Sequence, residues 1–226
     1  MGLQRHYRLG LFSDVTINME FKAHKLILSS QSGYFYNFFS KPKNNTTNVV
    51  THIYGNSQAV QSMISFKYGV RYKPDVNHDP AAAALVHIDT YALAEEYQVD
   101  GLKELAKFKF DTLVFSLRRF DGSFVRVITE VYESANASVL TDREFQKTVA
   151  EVAYENLDEL RDLPDFCGAS TRFPKFRADL GQYGASGPRE FRYICQYCSR
   201  LWVSERAMKD NRTDRCDCPK YRKSLM

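Results

Sequence analysis

Phe12-Ser13-Asp14-Val15-Thr16-Ile17 and, after three residues, Phe21-Lys22-Ala23-His24-Lys25-Leu26-Ile27-Leu28 carry more of the fold than any other part of this 226-residue chain. Val15 and Ile17 flank Thr16, and Phe21 and Ala23 flank Lys22. Apolar and polar residues thus alternate with the period of two that makes a half-buried strand. The short polar link Asn18-Met19-Glu20 turns one strand onto the other, so the stretch reads as a hairpin.

Outward from the hairpin the period changes. Phe35, Phe38 and Phe39 stand at i, i+3 and i+4, the spacing of one helix face. Lys41 to Asn48 is polar and contains Pro42, a loop, and Val49 to Ile53 reads as a short strand. Val60, Met63, Ile64 and Tyr68 follow the 3.6 period after a capping Asn56 or Ser57, and Gly69 supplies the stop. A loop from Tyr72 to Pro80 leads to a helix carrying Leu85, Ile88 and Ala92. Asp100 is placed to cap the next helix, with Leu102, Leu105 and Ala106 inside it. Two more helices follow, one on Phe124, Val127, Ile128, Val131 and Tyr132, the other on Phe145, Val149, Val152 and Ala153. The second is preceded by a capping box, Thr141 to Glu144. From Gly168 to Pro188 glycine, proline, serine and scattered charges read as a linker.

The ordered set resembles the BTB/POZ domain. To the two segments quoted first it adds Ser32-Gly33-Tyr34-Phe35, Phe38-Phe39, Ala59-Val60, Met63-Ile64-Ser65-Phe66-Lys67-Tyr68-Gly69, Tyr91-Ala92-Leu93-Ala94-Glu95-Glu96-Tyr97 and Leu102-Lys103-Glu104-Leu105-Ala106. The likeness spans roughly residues 1 to 115, and its flavour resembles the many BTB proteins of filamentous fungi. It implies an α+β fold, a small three-stranded sheet capped by a helical bundle. It also implies a protein-interaction module that pairs with itself or with another BTB chain, sometimes as a cullin-3 adaptor. Leu11, Phe12, Asp14, His24 and Lys25 are the binding residues it implies. Asp14 matches the family's buried acid near the dimer interface and Lys25 its basic partner, a pairing that relieves the cost of burying either charge alone. Apolar residues near the start, among them Leu3 and Leu9, have little sequence of their own to cover them. The hairpin tip is shorter than the family's, and the polar run Asn44-Asn45-Thr46-Thr47 stands near where cullin-binding members carry a hydrophobic-x-Glu element. That departure predicts weak or absent cullin-3 binding. The helical pair that follows resembles the extension found after many BTB domains, and reads equally as extra core.

Five cysteines are unevenly placed. Cys167 stands alone in no motif, whereas Cys195, Cys198, Cys216 and Cys218 crowd into the last segment. CxxC followed by CxC has the thiolate spacing of a tetrahedral Zn²⁺ site and resembles a zinc ribbon, whose second pair is more often CxxC. A segment this short cannot bury a core, so metal would have to supply its folding energy. Without metal it reads as a basic tail carrying spare thiols. The predicted organisation is a BTB/POZ-like domain (1–115), a helical extension (116–167), a linker (168–189) and a zinc-ribbon-like tail (190–226).

The net charge is +4, but from Arg172 to Met226 thirteen Lys and Arg face six Asp and Glu, which makes this segment +7 and the rest −3. The composition, 44% hydrophobic and 26% charged, excludes wholesale disorder. No run approaches the roughly 18 apolar residues of a membrane helix, and the first residues lack a signal-peptide core. A cytoplasmic or nuclear chain without membrane contact is expected. GxSxG, GxxxxGK[ST] and HExxH are all missing, so no enzyme is expected. Three functional readings follow. The first is an interaction module with a structural zinc. The second is a BTB-dimerised nucleic-acid-binding or transcription regulator using the basic tail. The third is a cullin-3 ubiquitin ligase substrate adaptor.

Overall fold

The computed structural model describes residues 13–17, 21–44, 49–74, 79–117, 122–133 and 143–185, together with the backbone of 191–194 and 201–204. The hairpin forms as read. β1 (Val15–Ile17) pairs antiparallel with β2 (Phe21–Ala23), Val15 opposite Ala23 and Ile17 opposite Phe21. β3 (Val49–Thr51) lies parallel on the other edge of β1, giving the order β2-β1-β3. A parallel pair needs a long crossover, and the chain between β2 and β3 supplies it with α1 (Lys25–Ser29), α2 (Gly33–Phe39) and a 3-10 turn at Pro42–Asn44.

Capping residues fix where the helices begin. Ser32 opens α2, its hydroxyl accepting from the Phe35 amide at 3.1 Å and donating to the Tyr97 carbonyl at 2.6 Å. Asn56 caps α3 (Ser57–Lys67) through the Gln58 amide at 2.9 Å. That helix ends as the glycine predicts. Gly69 has φ +68, the Val70 amide bonds the Ser65 carbonyl, and the Gly69 amide bonds that of Phe66, the paired pattern that closes a helix through a left-handed residue. Asp79 caps α4 (Pro80–Glu96), accepting from the Ala81 amide at 3.0 Å. One capping expectation is corrected. Asp100 is the first residue of α5 (Asp100–Ser116), and the cap position is Val99, which makes no side-chain bond. The Asp100 carboxylate acts there on the helix dipole instead.

Two apolar cores share α4 and α5. The first lies under the sheet, with Val15, Ile17, Ala23, Leu28, Phe35, Met63, Ile64, Leu93, Tyr97 and Leu102 buried. The second gathers Ile88, Tyr91, Ala106, Phe110 and Val114 with α6 (Gly122–Glu133) and α7 (Glu144–Glu155). The helical pair is therefore core for the bundle. Its predicted stripe is buried, Phe124, Val127, Ile128 and Val131 facing Phe145, Val149 and Ala153. Thr141 of the expected capping box lies outside the described residues. Arg143 takes the cap position at φ +51 without a side-chain cap.

The expected linker is also corrected. After a short α8 (Leu157–Leu160), α9 (Pro164–Arg172) and α10 (Pro174–Ala185) occupy most of 168–189. Phe166, Ala169, Phe173, Phe176 and Leu180 are spaced 3, 4, 3 and 4 apart, a helical stripe that the intervening glycines, serines and charges conceal. Phe166 and Phe176 are buried against the second core. Pro164 and Pro174 are the first residues of their helices, where a missing amide proton costs nothing. Asp179 fastens α10, accepting from the Tyr132 hydroxyl at 2.7 Å and from Arg143 at 2.8 Å. In the tail, β4 (Phe191–Ile194) pairs antiparallel with β5 (Leu201–Ser204). Among the described residues no helix is long and apolar enough to cross a membrane.

Candidate interaction surface

Three of the five predicted binding residues come together at α1. Asp14 precedes β1, and its main chain is fixed on both sides, its amide donating to the Ala23 carbonyl and its carbonyl accepting from the Val49 amide. The half-buried carboxylate then reaches the first residue of α1. Asp14 and Lys25 do meet, but through the main chain: Asp14 Oδ1 accepts from the Lys25 backbone amide at 2.8 Å. The Lys25 ammonium instead donates to the Asn44 carbonyl at 3.0 Å and lies 5.5 Å from the centre of the Phe39 ring. A carboxylate here serves one of the donors that every helix start leaves unsatisfied.

His24, at the cap position of α1, faces α3. Its backbone amide donates to the Tyr68 hydroxyl at 2.9 Å, and its Nδ1 is hydrogen-bonded to the same oxygen at 2.6 Å. Tyr68 is fully buried. The preceding Lys67 is 3% exposed and donates to the Leu28 carbonyl, in the last turn of α1, at 3.3 Å. Burial pushes the Lys67 ammonium down to about 8. A five-residue helix has no stability of its own. α1 is held because Asp14 and Tyr68 take its start and Lys67 its last turn.

The sequence reading placed Tyr68 on the apolar stripe of its helix and Lys67 near its end, but gave neither a role at α1. The signal was present: Lys67 continues the stripe of Val60 and Ile64, and a cation on a core face requires a partner. Leu11 and Phe12 lie outside the described residues, as do Cys195, Cys198, Cys216 and Cys218.

The clamp leaves one face of α1 outward, with Leu26 78% exposed. Val50 of β3, Tyr36 of α2 and Tyr54 are exposed large apolar side chains of the same half of the chain. The buried His87 is bonded to the Tyr72 hydroxyl at 3.2 Å. Cys167 is exposed, its thiol on the Arg161 carbonyl at 3.2 Å. Among the described residues, no group of three or more His, Cys, Asp or Glu side chains could hold a metal. A rigid apolar projection of this kind can bind another protein.

No curated protein matches the chain. A family model does, that of the BTB/POZ domain, over residues 3–112, which include the sheet, the clamped helix and most of the α4–α5 pair. Over residues 3–112 this chain is similar to the BTB/POZ domain.

Proposed function

We propose that the BTB/POZ domain, itself a protein–protein interaction module, pairs with a second copy of this chain or with another BTB chain through the outward face of α1. Leu26 carries this reading. It is 78% exposed on a helix held at both ends, so covering it costs little further ordering. Leu3, Leu9, Leu11 and Phe12 add apolar sequence just upstream. The chain acts by binding and not by catalysis. Sedimentation of the full chain at micromolar concentration is the test. A dimer is expected, and Leu26→Asp lowers its affinity at least tenfold with the circular dichroism spectrum unchanged. A wild-type monomer overturns the reading.

The tail complements the domain with a structural zinc. In the β4–β5 register Ile194 stands opposite Leu201, so Cys195 and Cys198 both fall in the connection of one hairpin. Together with Cys216 and Cys218 they make a complete set of four soft donors, which leaves no open position for catalysis. Elemental analysis of protein made in zinc-supplemented medium finds about one equivalent, and Cys195→Ser or Cys218→Ser releases it. The cullin-3 reading stands behind both. The Pro42–Asn44 turn is exposed and polar where an apolar anchor would be needed, so calorimetry finds no binding at micromolar concentration.

A further inference from the structure

Between the first half of α4 and the end of α5 lies a cavity of about 330 Å³. Pro80, Ala83 and His87 of α4, Leu113 of α5 and the Lys73–Pro74 stretch line it. The volume is at the small end of ligand sites, and apolar walls surround few polar groups, as in such sites. His87 is the informative member. It is 5% exposed, and the Tyr72 hydroxyl takes its Nδ1 at 3.2 Å. Its Nε2 has no partner among the described residues, and the cavity that the ring lines is the space left for one. Tyr72 is itself buried, and this is its one hydrogen bond among the described residues. With no other acceptor there, the hydroxyl donates to Nδ1, and the proton of the neutral ring sits on Nε2. Burial, and second to it Lys109, keep that ring neutral at pH 7, so the cavity receives one fixed N–H donor. The field around it is positive. Lys109 lies 4.8 Å from the centre of the Tyr72 ring, its ammonium pushed down by burial and by the nearby Arg71, and the exposed Lys73 is part of the lining. None of these three cations forms an ion pair with a described residue. The one acid at the cavity, Asp79, is committed: Oδ1 accepts from the Ala81 amide at 3.0 Å and Oδ2 from Arg126 at 2.7 Å. A buried donor, cations without carboxylate partners and apolar walls match a carboxylate on a small apolar body.

We infer that the cavity between α4 and α5, with His87 Nε2–H as its donor and Lys73 beside it, binds the anion of a small carboxylic acid with an apolar body. The site shares no residue with α1 and does not depend on protein pairing. The probe is phenylacetate, compared with phenylacetamide, acetate and the peptide Gly-Gly-Phe. Each is titrated into the full chain carrying isotope-labelled histidine, and the His87 ring signals are those lost in His87→Gln. Phenylacetate is expected to move these signals saturably at about millimolar concentration or below. Phenylacetamide keeps the apolar ring without the charge, and acetate keeps the charge without the ring, so each binds roughly tenfold more weakly or worse. Gly-Gly-Phe also binds more weakly, because a cavity this small has no room for its main chain. Ala83→Leu fills the cavity with a good helix former and abolishes the shift while the circular dichroism spectrum stays unchanged. Lys73→Gln weakens phenylacetate binding and leaves phenylacetamide unaffected. His87 signals that stay still under phenylacetate overturn the proposal, as does phenylacetamide or acetate binding at equal affinity. Gly-Gly-Phe as the tighter ligand assigns the site to a peptide end and overturns the small-acid reading. Unchanged binding in a folded Ala83→Leu protein overturns it too, by putting the ligand elsewhere. The comparison of probes on the wild-type chain needs no variant, so a misfolded Ala83→Leu protein would not shelter the idea.

Discussion

Asp14 shows how much one side chain decides. Its carboxylate holds an amide of α1 and not an ammonium, so substitutions at the two partners have unequal effects. Asp14→Ala removes the acceptor and costs about 1 kcal/mol, the usual value of a lost helix-start acceptor. Lys25→Ala keeps its backbone amide, so it preserves that bond and costs less. Urea denaturation of both variants is the check, and equal losses would restore the ion-pair picture. Two buried bases set the pH dependence. Burial, and second to it the Lys109 ammonium, push His87 down to about 4 from its usual 6.5. The folded state thus takes up this proton more reluctantly than the unfolded chain. Stability is full above pH 6.5 and is lost as pH falls toward 4. His87→Phe flattens the melting temperature across that window, though it also gives up the Tyr72 contact. Lys67 behaves alike at higher pH: with its proton held only to about 8 in the folded state, stability rises between pH 8 and its ordinary value of 10.5.

At the scale of elements, α10 is the clearest departure from the sequence reading. A linker tolerates substitution, whereas a docked helix does not. Phe176 is fully buried among α6, α7 and α9 side chains, with its ring 5.2 Å from that of Tyr132 and 5.7 Å from that of Phe166. Phe176→Ala costs about 3–5 kcal/mol, the range for a large ring removed from a core. Hydrogen exchange then accelerates first in α9 and α10. Unchanged protection there would return residues 168–185 to the status of a linker. The α1 clamp works by the opposite logic: the helix buries little beyond Leu28, and its position is fixed by polar bonds at its two ends.

Across the whole molecule, the two cores are joined by α4 and α5, and this governs what folds alone. Family resemblance ends near residue 115, but Ala106, Phe110 and Val114 are buried by α6 and α7. A fragment ending at Ser116 exposes that face. It is expected to bind a hydrophobic dye and to aggregate, while a fragment ending at Ala185 melts in one cooperative transition. Calorimetry of the two fragments distinguishes them, and a stable, cooperative short fragment would make the first core self-sufficient. The period-two hairpin, the Asn56 cap and the glycine stop at Gly69 were all legible in the sequence, because each rests on residues within a few positions of one another. The CxxC-CxC spacing is equally local, and its metal reading rests on that alone. What pairs with what across the chain was not legible. Sequence order places Asp14 before a hairpin and Lys67 at the end of a helix. Only the fold brings both to the two ends of α1, 11 and 39 residues away in the chain. The α9–α10 stripe has a helical period, but its glycines and prolines weigh against it until a core exists to receive it. Local patterning sets the elements, whereas burial, which depends on distant residues, decides which of them are used.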